Sequence, residues 1–235
     1  MRIRIPLIDI IQKHNRKVLD EIDYITNYIS ESGNHIEKLQ DNINQTLEEL
    51  TKESPQFWQD IEQAHEEDLF QRNHFFPTLH FNSLFLLSYG FFESNLNQFC
   101  LKIKNYTNCK CPIDIEDKKS YIDRCNEYFT QCLKLDLSTL ETLWELFSQY
   151  REIRNAIAHA NSKMKNNKTF RLDPKLKSFI TFKEDSEEFY INDDKFLFDF
   201  CARMKDYFNS LKKIINVAVR ADQLPNTNTR ITATS

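Results

Sequence analysis

Three polar side chains of complementary chemistry follow one another near residue 155. Arg154 and Asn155 are separated from His159 by three small or apolar residues. An arginine guanidinium presents a fixed fork of donors that binds phosphate oxygens. A histidine, whose ordinary pKa is close to neutral pH, can accept or donate a proton. Together these groups predict proton transfer at a phosphate ester, for which no metal ion is needed.

The spacing limits how these side chains can meet within one chain. On a straight helix, positions five apart point about 140° away from each other. Arg154 and His159 therefore point from different faces, whereas Arg151, Asn155 and His159 are spaced by four and follow one face. One copy is expected to make an incomplete site unless the helix unwinds before His159. Two copies related by a two-fold axis would bring both Arg/His pairs around one phosphate.

The segment that carries these residues is predicted to be a helix. Ser138 and Glu141 have the spacing of a capping box. Apolar residues then recur at helical intervals up to His159, and the polar run 161–167 is expected to end the helix.

A second helix is predicted from Pro77 to about Lys104. Its residues are apolar on nearly every side, which is typical of a helix in the middle of a bundle. Glu93 is one of its few polar exceptions. We interpret Glu93 as a carboxylate that orients Arg154.

The first fifty residues carry two rows of apolar residues with heptad spacing, which predicts packing against a partner helix. Ser32-Gly33-Asn34 has the composition of a helix stop, yet the heptad phase continues through it. We favour one long, kinked helix over a two-helix hairpin. The rows leave open whether the packing partner belongs to the same subunit or to a second one.

The fold class predicted for the whole chain is all-α, a helical bundle with one small β-hairpin before the last helix. Further helices are predicted over about residues 55–72, 115–133 and 193–220. Two short apolar-rich runs, 177–182 and 188–191, predict the hairpin. The predicted division of the chain is a coiled-coil-like helical segment at 1–53, a bundle at 54–220 and a disordered tail at 221–235.

The composition excludes several classes of protein. The chain has 235 residues and only two glycines, Gly33 and Gly90, so no glycine-rich phosphate loop can be assembled. This excludes a Rossmann nucleotide site, a P-loop and a protein kinase. No run of eighteen apolar residues is present and the N-terminus carries early charges, so we expect neither a membrane span nor a signal peptide.

Charge is distributed unevenly along the chain. The formal net charge is −4, but residues 151–177 carry eight basic and two acidic residues. We call residues 151–177 the basic segment, and we interpret it as a candidate polyanion site. The alternative is a solvated loop. The candidate phosphate contacts are Lys163, Lys165, Lys168 and Arg171.

The segment Arg154-Asn155-Ala156-Ile157-Ala158-His159 resembles the Arg-x4-His motif of the HEPN superfamily. Members are small helical-bundle proteins, and many are metal-independent ribonucleases. Residues 83–97 resemble the preceding core helix of many members, and the likeness covers about residues 76–220. The resemblance implies a composite active site at a homodimer interface and no cofactor. Toxin members that a partner enzyme modifies carry Tyr two residues after the His, where this chain has Asn161.

On this resemblance we expect a metal-independent endoribonuclease that leaves 2′,3′-cyclic phosphate ends. The catalytic residues would be Arg154 and His159, with Asn155, Glu93 and Arg151 in support. A role as a toxin or antiviral effector in the cytoplasm, restrained by an antitoxin or another regulatory partner, is part of the same expectation. The alternative is a non-catalytic helical module that binds RNA or protein.

A zinc site is not expected. Cys109 and Cys111 have one residue between them, whereas zinc-binding pairs favour two to four. Six cysteines without a short disulfide framework are typical of a reducing cytoplasm. The two tryptophans, Trp58 and Trp144, are interpreted as core residues.

Overall fold

The computed structural model describes residues 4–107, 120–164, 172–183, 186–191, 193–221 and 224. Its helices are α1 (Arg4–Glu53), α2 (Trp58–Ala64), α3 (Glu66–Phe70), α4 (Phe76–Thr107), α5 (Tyr121–Glu127), α6 (Glu141–Ala160), α7 (Pro174–Ser178) and α8 (Lys195–Arg220). Its strands are β1 (Ile180–Phe182) and β2 (Phe189–Ile191). The all-α prediction, with a long N-terminal helix and one hairpin before the last helix, is confirmed.

Helix α1 passes through Ser32-Gly33-Asn34 as one helix, which confirms the prediction of one long helix over a hairpin. The Ser32 hydroxyl donates to the Tyr28 carbonyl oxygen at 2.6 Å, so it adds to the helical hydrogen bonding instead of ending it. Gly33 is buried, and a Cβ there would lie 3.2 Å from Asp194 Oδ2. The glycine therefore lets the backbone of α1 lie close to the Asp194 side chain. Among the heptad positions, Ile11, Val18, Ile22, Ile29 and Ile43 are buried within a single chain.

The described residues form two compact units. The first unit comprises residues 1–23, 89–146 and 202–235, and the second comprises 24–88 and 147–201. In the first unit, Phe92 on α4 packs edge-on against Tyr207 and Phe208 on α8, with ring centroids 5.7 and 5.8 Å apart. These rings are fully buried and form the core of that unit.

The second unit has its own aromatic core. Tyr150 on α6 lies 4.7 Å from Phe200 on α8, and Phe85 on α4 lies 4.8 Å from Phe196, measured between ring centroids. The Tyr150 hydroxyl also donates to Asp199 Oδ2 at 2.7 Å. These contacts hold α6 against α4 and α8, so the opposite face of α6 is turned outward.

The hairpin is shorter than the sequence predicts. Strands β1 and β2 pair antiparallel, with Ile180 opposite Ile191 and Phe182 opposite Phe189. The predicted strand start at 177 is wrong, because residues 174–178 form α7. Asp173 accepts a hydrogen bond from the Lys175 amide, and proline follows at the first helical position, so the local signals favour a helix start.

Two predictions about buried residues are wrong as well. Trp58 is 48% exposed and not a core residue, and Trp144 is half-buried. Helix α4 is not buried all round, because Leu79 and Leu87 are exposed.

The predicted helix over 55–72 is divided into a 3₁₀ turn, α2, α3 and a π-helical turn. Within the described residues, no helix combines the length and apolar character needed to cross a bilayer.

Candidate functional site

The motif lies on the last turns of α6, whose burial pattern determines which side chains reach solvent. Its inward face is formed by Phe147, Tyr150, Ile153 and Ala156, all buried at helical spacing. Arg154 and Asn155 are half-buried, and His159 is exposed. The motif is therefore at the rim of the second unit.

Arg154 is oriented by its own neighbour. Its Nη1 donates to the Asn155 amide oxygen at 2.9 Å. The acceptor of this hydrogen bond is a neutral amide oxygen. The supporting role of Asn155 in the site stays a prediction.

His159 has no structural task that the described residues reveal. Its side chain makes no hydrogen bond, ion pair or ring contact with any of them. It lies in the last turn of α6. An exposed imidazole at this place can exchange protons with solvent or with a bound molecule.

The chain leaves α6 through two consecutive residues in the left-handed region. Asn161 has φ of 50° and Ser162 has φ of 58°. The Ser162 amide donates to the Ala156 carbonyl oxygen at 2.9 Å, which closes the helix end. The Ser162 hydroxyl accepts from Asn82 Nδ2 at 3.2 Å and is thereby held against α4. Two such residues in succession are uncommon outside glycine.

The next residues are joined to the hairpin. The Met164 amide donates to the Glu187 carbonyl oxygen, and the Phe189 amide donates to the Ser162 carbonyl oxygen, both at 2.8 Å. Lys163 stands opposite Glu188 in an isolated β-bridge, and its side chain is exposed. Lys163 is therefore available for a phosphate, although the hairpin brings two acidic residues near it.

Arg154 and His159 are not brought to one face of α6 within one chain. The helix continues without a break to Ala160, so the unwinding before His159 that would reunite them does not occur. Their side chains leave the helix about 140° apart. Arg151, which is half-buried, shares a face with Asn155 and His159.

Another part of the basic segment is already neutralised. Lys175 Nζ lies 2.5 Å from Asp199 Oδ1 and forms an ion pair with it. The Asp173 amide donates to Gln149 Oε1, also at 2.5 Å, which ties the start of α7 to α6. Lys175 thus serves the fold of the second unit and is not a free cation for a polyanion.

The other predicted site residues are not tested by the described part of the structure. Glu93 is half-buried on α4 in the first unit, and its role in orienting Arg154 stays a prediction. Lys165, Lys168 and Arg171 lie outside the described residues.

Cysteines and other metal-binding side chains do not form a second candidate site. In the part of the chain that the structure describes, no three His, Cys, Asp or Glu side chains come together as metal ligands. The hydrogen bond with Cys125, together with burial, raises the pKa of the Cys100 thiol, so Cys100 stays protonated. Cys132 is disulfide-bonded, so not every cysteine has the reduced state expected from the sequence. Cys109 and Cys111 are outside the described residues.

Ser162 and Asn82 are the residues around the motif that sequence reasoning missed. The signal for Asn161 was present, since asparagine tolerates left-handed backbone. Ser162 carried no such signal, and its hydrogen bond joins residues 80 positions apart.

Comparison of the chain with protein-family profiles, with curated proteins and with solved structures found no match.

Proposed function

We propose that this protein is a metal-independent endoribonuclease of the HEPN type that acts as a homodimer. The observation that carries the proposal is an exposed His159 whose side chain makes no hydrogen bond, ion pair or ring contact with the described residues, just beyond a guanidinium that donates to Asn155. A histidine kept for the fold would be expected to contact its surroundings. A toxin or antiviral role in the cytoplasm, with an inhibitory partner, belongs to the same proposal and rests on the resemblance alone.

The reaction needs two proton transfers and one positive charge. A base takes the proton of the 2′-hydroxyl, and the 2′-oxygen then bonds to phosphorus. The bond from phosphorus to the 5′-oxygen breaks, and an acid supplies the proton that this oxygen takes up. His159 is suited to the proton transfers, and Arg154 to the charge that accumulates on the phosphate oxygens.

Two subunits are part of the proposal because one chain does not present both groups on one face. A two-fold axis beside the exposed end of α6 would add the Arg154 of one subunit to the His159 of the other. Exposed Lys163 would then extend the positive surface along the RNA backbone.

The test is cleavage of single-stranded and structured RNA in excess EDTA. We expect fragments with 2′,3′-cyclic phosphate ends. His159→Ala is expected to lower the rate by about 10²-fold or more. Arg154→Ala is expected to do the same, while Arg154→Lys retains part of the rate because it keeps the charge and loses the fork.

His35→Ala is the matched control, since it removes another exposed histidine from the second unit. Circular dichroism checks that every variant keeps its helix content. Equal cleavage by wild type and His159→Ala would contradict the proposal, and loss of cleavage on chelation would assign the chemistry to a metal ion.

A non-catalytic RNA-binding module is the second candidate. The divergence of Arg154 and His159 on one unbroken helix favours it, because binding does not need the two groups at one phosphorus atom. This candidate predicts RNA binding by wild type that Arg154→Ala weakens, with no cleavage by either.

A further inference from the structure

The segment that joins α1 to α4 exposes an unusual number of large apolar side chains. The elements from Pro55 to Phe75 contain no buried residue. The aromatic residues of the segment that are about half exposed are Phe57, Trp58, Phe70 and Phe75, and Phe76 at the start of α4 is 40% exposed. Exposed large apolar side chains in such number are typical of an interaction surface.

Part of this surface lines a groove. It lies between the last turns of α1 and the short helices α2 and α3, and has a volume of about 610 Å³. Its apolar lining comprises Leu47, Trp58, Ile61 and Leu69. Polar and charged residues, Glu48 and Glu62 among them, line it as well. We call this feature the acidic–aromatic groove, and all of it belongs to the second unit.

The surroundings of the groove are strongly negative. Residues 41–70 carry nine acidic residues and one basic residue, Lys52. Lys52 is already 3.5 Å from Glu48. Asp60, Glu62 and Glu66 make no ion pair with any described residue. The groove therefore combines apolar walls with one acidic lining residue, Glu62, that no described cation pairs with, and exposed Asp60 and Glu66 follow nearby in the sequence.

We propose that the acidic–aromatic groove binds a basic amphipathic helix of another protein. Apolar side chains at helical intervals would enter the groove, and flanking Lys or Arg residues would meet the acidic residues. A symmetric contact between the grooves of two copies of this chain is disfavoured, because both grooves carry the same charge. The same charge repels nucleic acid and anionic lipid surfaces.

The probe is a fluorescein-labelled amphipathic peptide of about 15 residues, made of leucine and lysine at helical spacing. Fluorescence anisotropy with the full chain is expected to show saturable binding. The triple variant Asp60→Lys, Glu62→Lys and Glu66→Lys is expected to weaken it at least tenfold. In a Trp144→Phe background, the remaining Trp58 emission should shift as the peptide fills the groove.

The matched control is Asp9→Lys, Asp20→Lys and Glu31→Lys, which makes the same change of net charge at exposed positions of α1. It is expected to bind the peptide with less than twofold change. A second variant, Leu69→Gln, tests the apolar wall without altering charge and should also weaken binding. Circular dichroism verifies the helix content of each variant.

Three outcomes would overturn the inference. The first is equal weakening by both charge-reversal variants, which would show a response to net charge alone. The second is an unshifted Trp58 emission. The third is self-association or binding to anionic phospholipid vesicles that the groove variant abolishes, which would assign the surface to a different occupant. None of these readouts depends on RNA cleavage.

Discussion

At the scale of single residues, His14 shows how surroundings determine a charge state. It is 3% exposed on α1 in the first unit, and its ring stacks on Phe99 with centroids 5.0 Å apart. Nε2 lies 3.2 Å from the Asn95 carbonyl oxygen, and Nδ1 lies 2.9 Å from Lys102 Nζ. Burial, and then the charge of Lys102, lowers the pKa of His14 from 6.5 to about 4. We expect the neutral form, with Nε2 donating to Asn95 and Nδ1 accepting from Lys102.

This environment predicts that the protein loses stability in acid. Between the ordinary pKa of 6.5 and about 4, unfolded His14 binds a proton and folded His14 does not. The free energy of unfolding should therefore be fully retained above pH 6.5 and fall as the pH drops towards 4, by about 3 kcal/mol at most. Urea unfolding at several pH values measures this loss.

His14→Gln supplies the comparison, since glutamine does not titrate. The variant is expected to be less stable at neutral pH and to lose less stability on acidification. His35→Ala, which removes an exposed histidine, should follow the wild-type pH dependence. The same acid loss in His14→Gln as in wild type would show that other groups control the transition.

At the scale of elements, the end of α6 is the least ordinary piece of backbone among the described residues. Asn161 and Ser162 are both left-handed, a conformation that costs most residues about 1–2 kcal/mol. The bridge between Lys163 and Glu188 and the hydrogen bond from Asn82 to Ser162 hold the chain there. Backbone of this kind is found most often where a function requires a fixed geometry.

Asn161→Val is expected to lower the free energy of unfolding by about 1 kcal/mol or more, because a β-branched side chain fits left-handed backbone poorly. Asn42→Val makes the same exchange at an exposed helical position of α1 and should change it by less than about 0.5 kcal/mol. Thermal or urea unfolding compares the two. Equal effects would mean that the strain at Asn161 is not felt in the folded protein.

Local pattern explains which elements could be predicted. The helical periods of α6 and α8 and the two apolar runs of the hairpin are contained in neighbouring residues, so the sequence predicts these elements well. Whether an apolar side chain finds a partner is not local. Trp58 and Leu79 lie in apolar patterns like those of buried residues, yet both are exposed. The backbone pairing of Lys163 likewise depends on Glu188, which lies 25 residues away in the sequence.

The candidate site, too, could be predicted only where it depends on neighbouring residues. The arrangement of Arg154 and Asn155 depends on adjacent residues and was accessible from their order. The exposure of His159 depends on how the described elements pack around α6, which no spacing rule contains. The proposed pairing of two sites is still less accessible, since it belongs to an assembly of two chains.

At the scale of the whole molecule, the proposed site shared by two subunits makes a prediction that a mixture of two variants can test. In a composite site, a dimer of one Arg154→Ala chain and one His159→Ala chain retains one intact Arg154 and one intact His159. Mixing the two inactive variants, with unfolding and refolding to exchange subunits, is therefore expected to restore part of the cleavage rate. Sedimentation velocity checks that the mixture is dimeric.

The cleavage rate of the mixture distinguishes a site shared by two subunits from a site contained in each chain. If each chain cleaves RNA by itself, the mixture should show no more than the average of the two variants. A monomeric wild-type protein that is fully active would equally contradict the composite site.

Helix α1 has a consequence for anyone who shortens the gene. It supplies Ile11, Val18 and Ile22 to the interior of the first unit, and Ile29 and Ile43 to that of the second. A protein truncated to start after Glu53 would expose apolar core residues of both units to solvent. The N-terminal fifty residues are thus part of both cores, and a minimal fragment has to retain them.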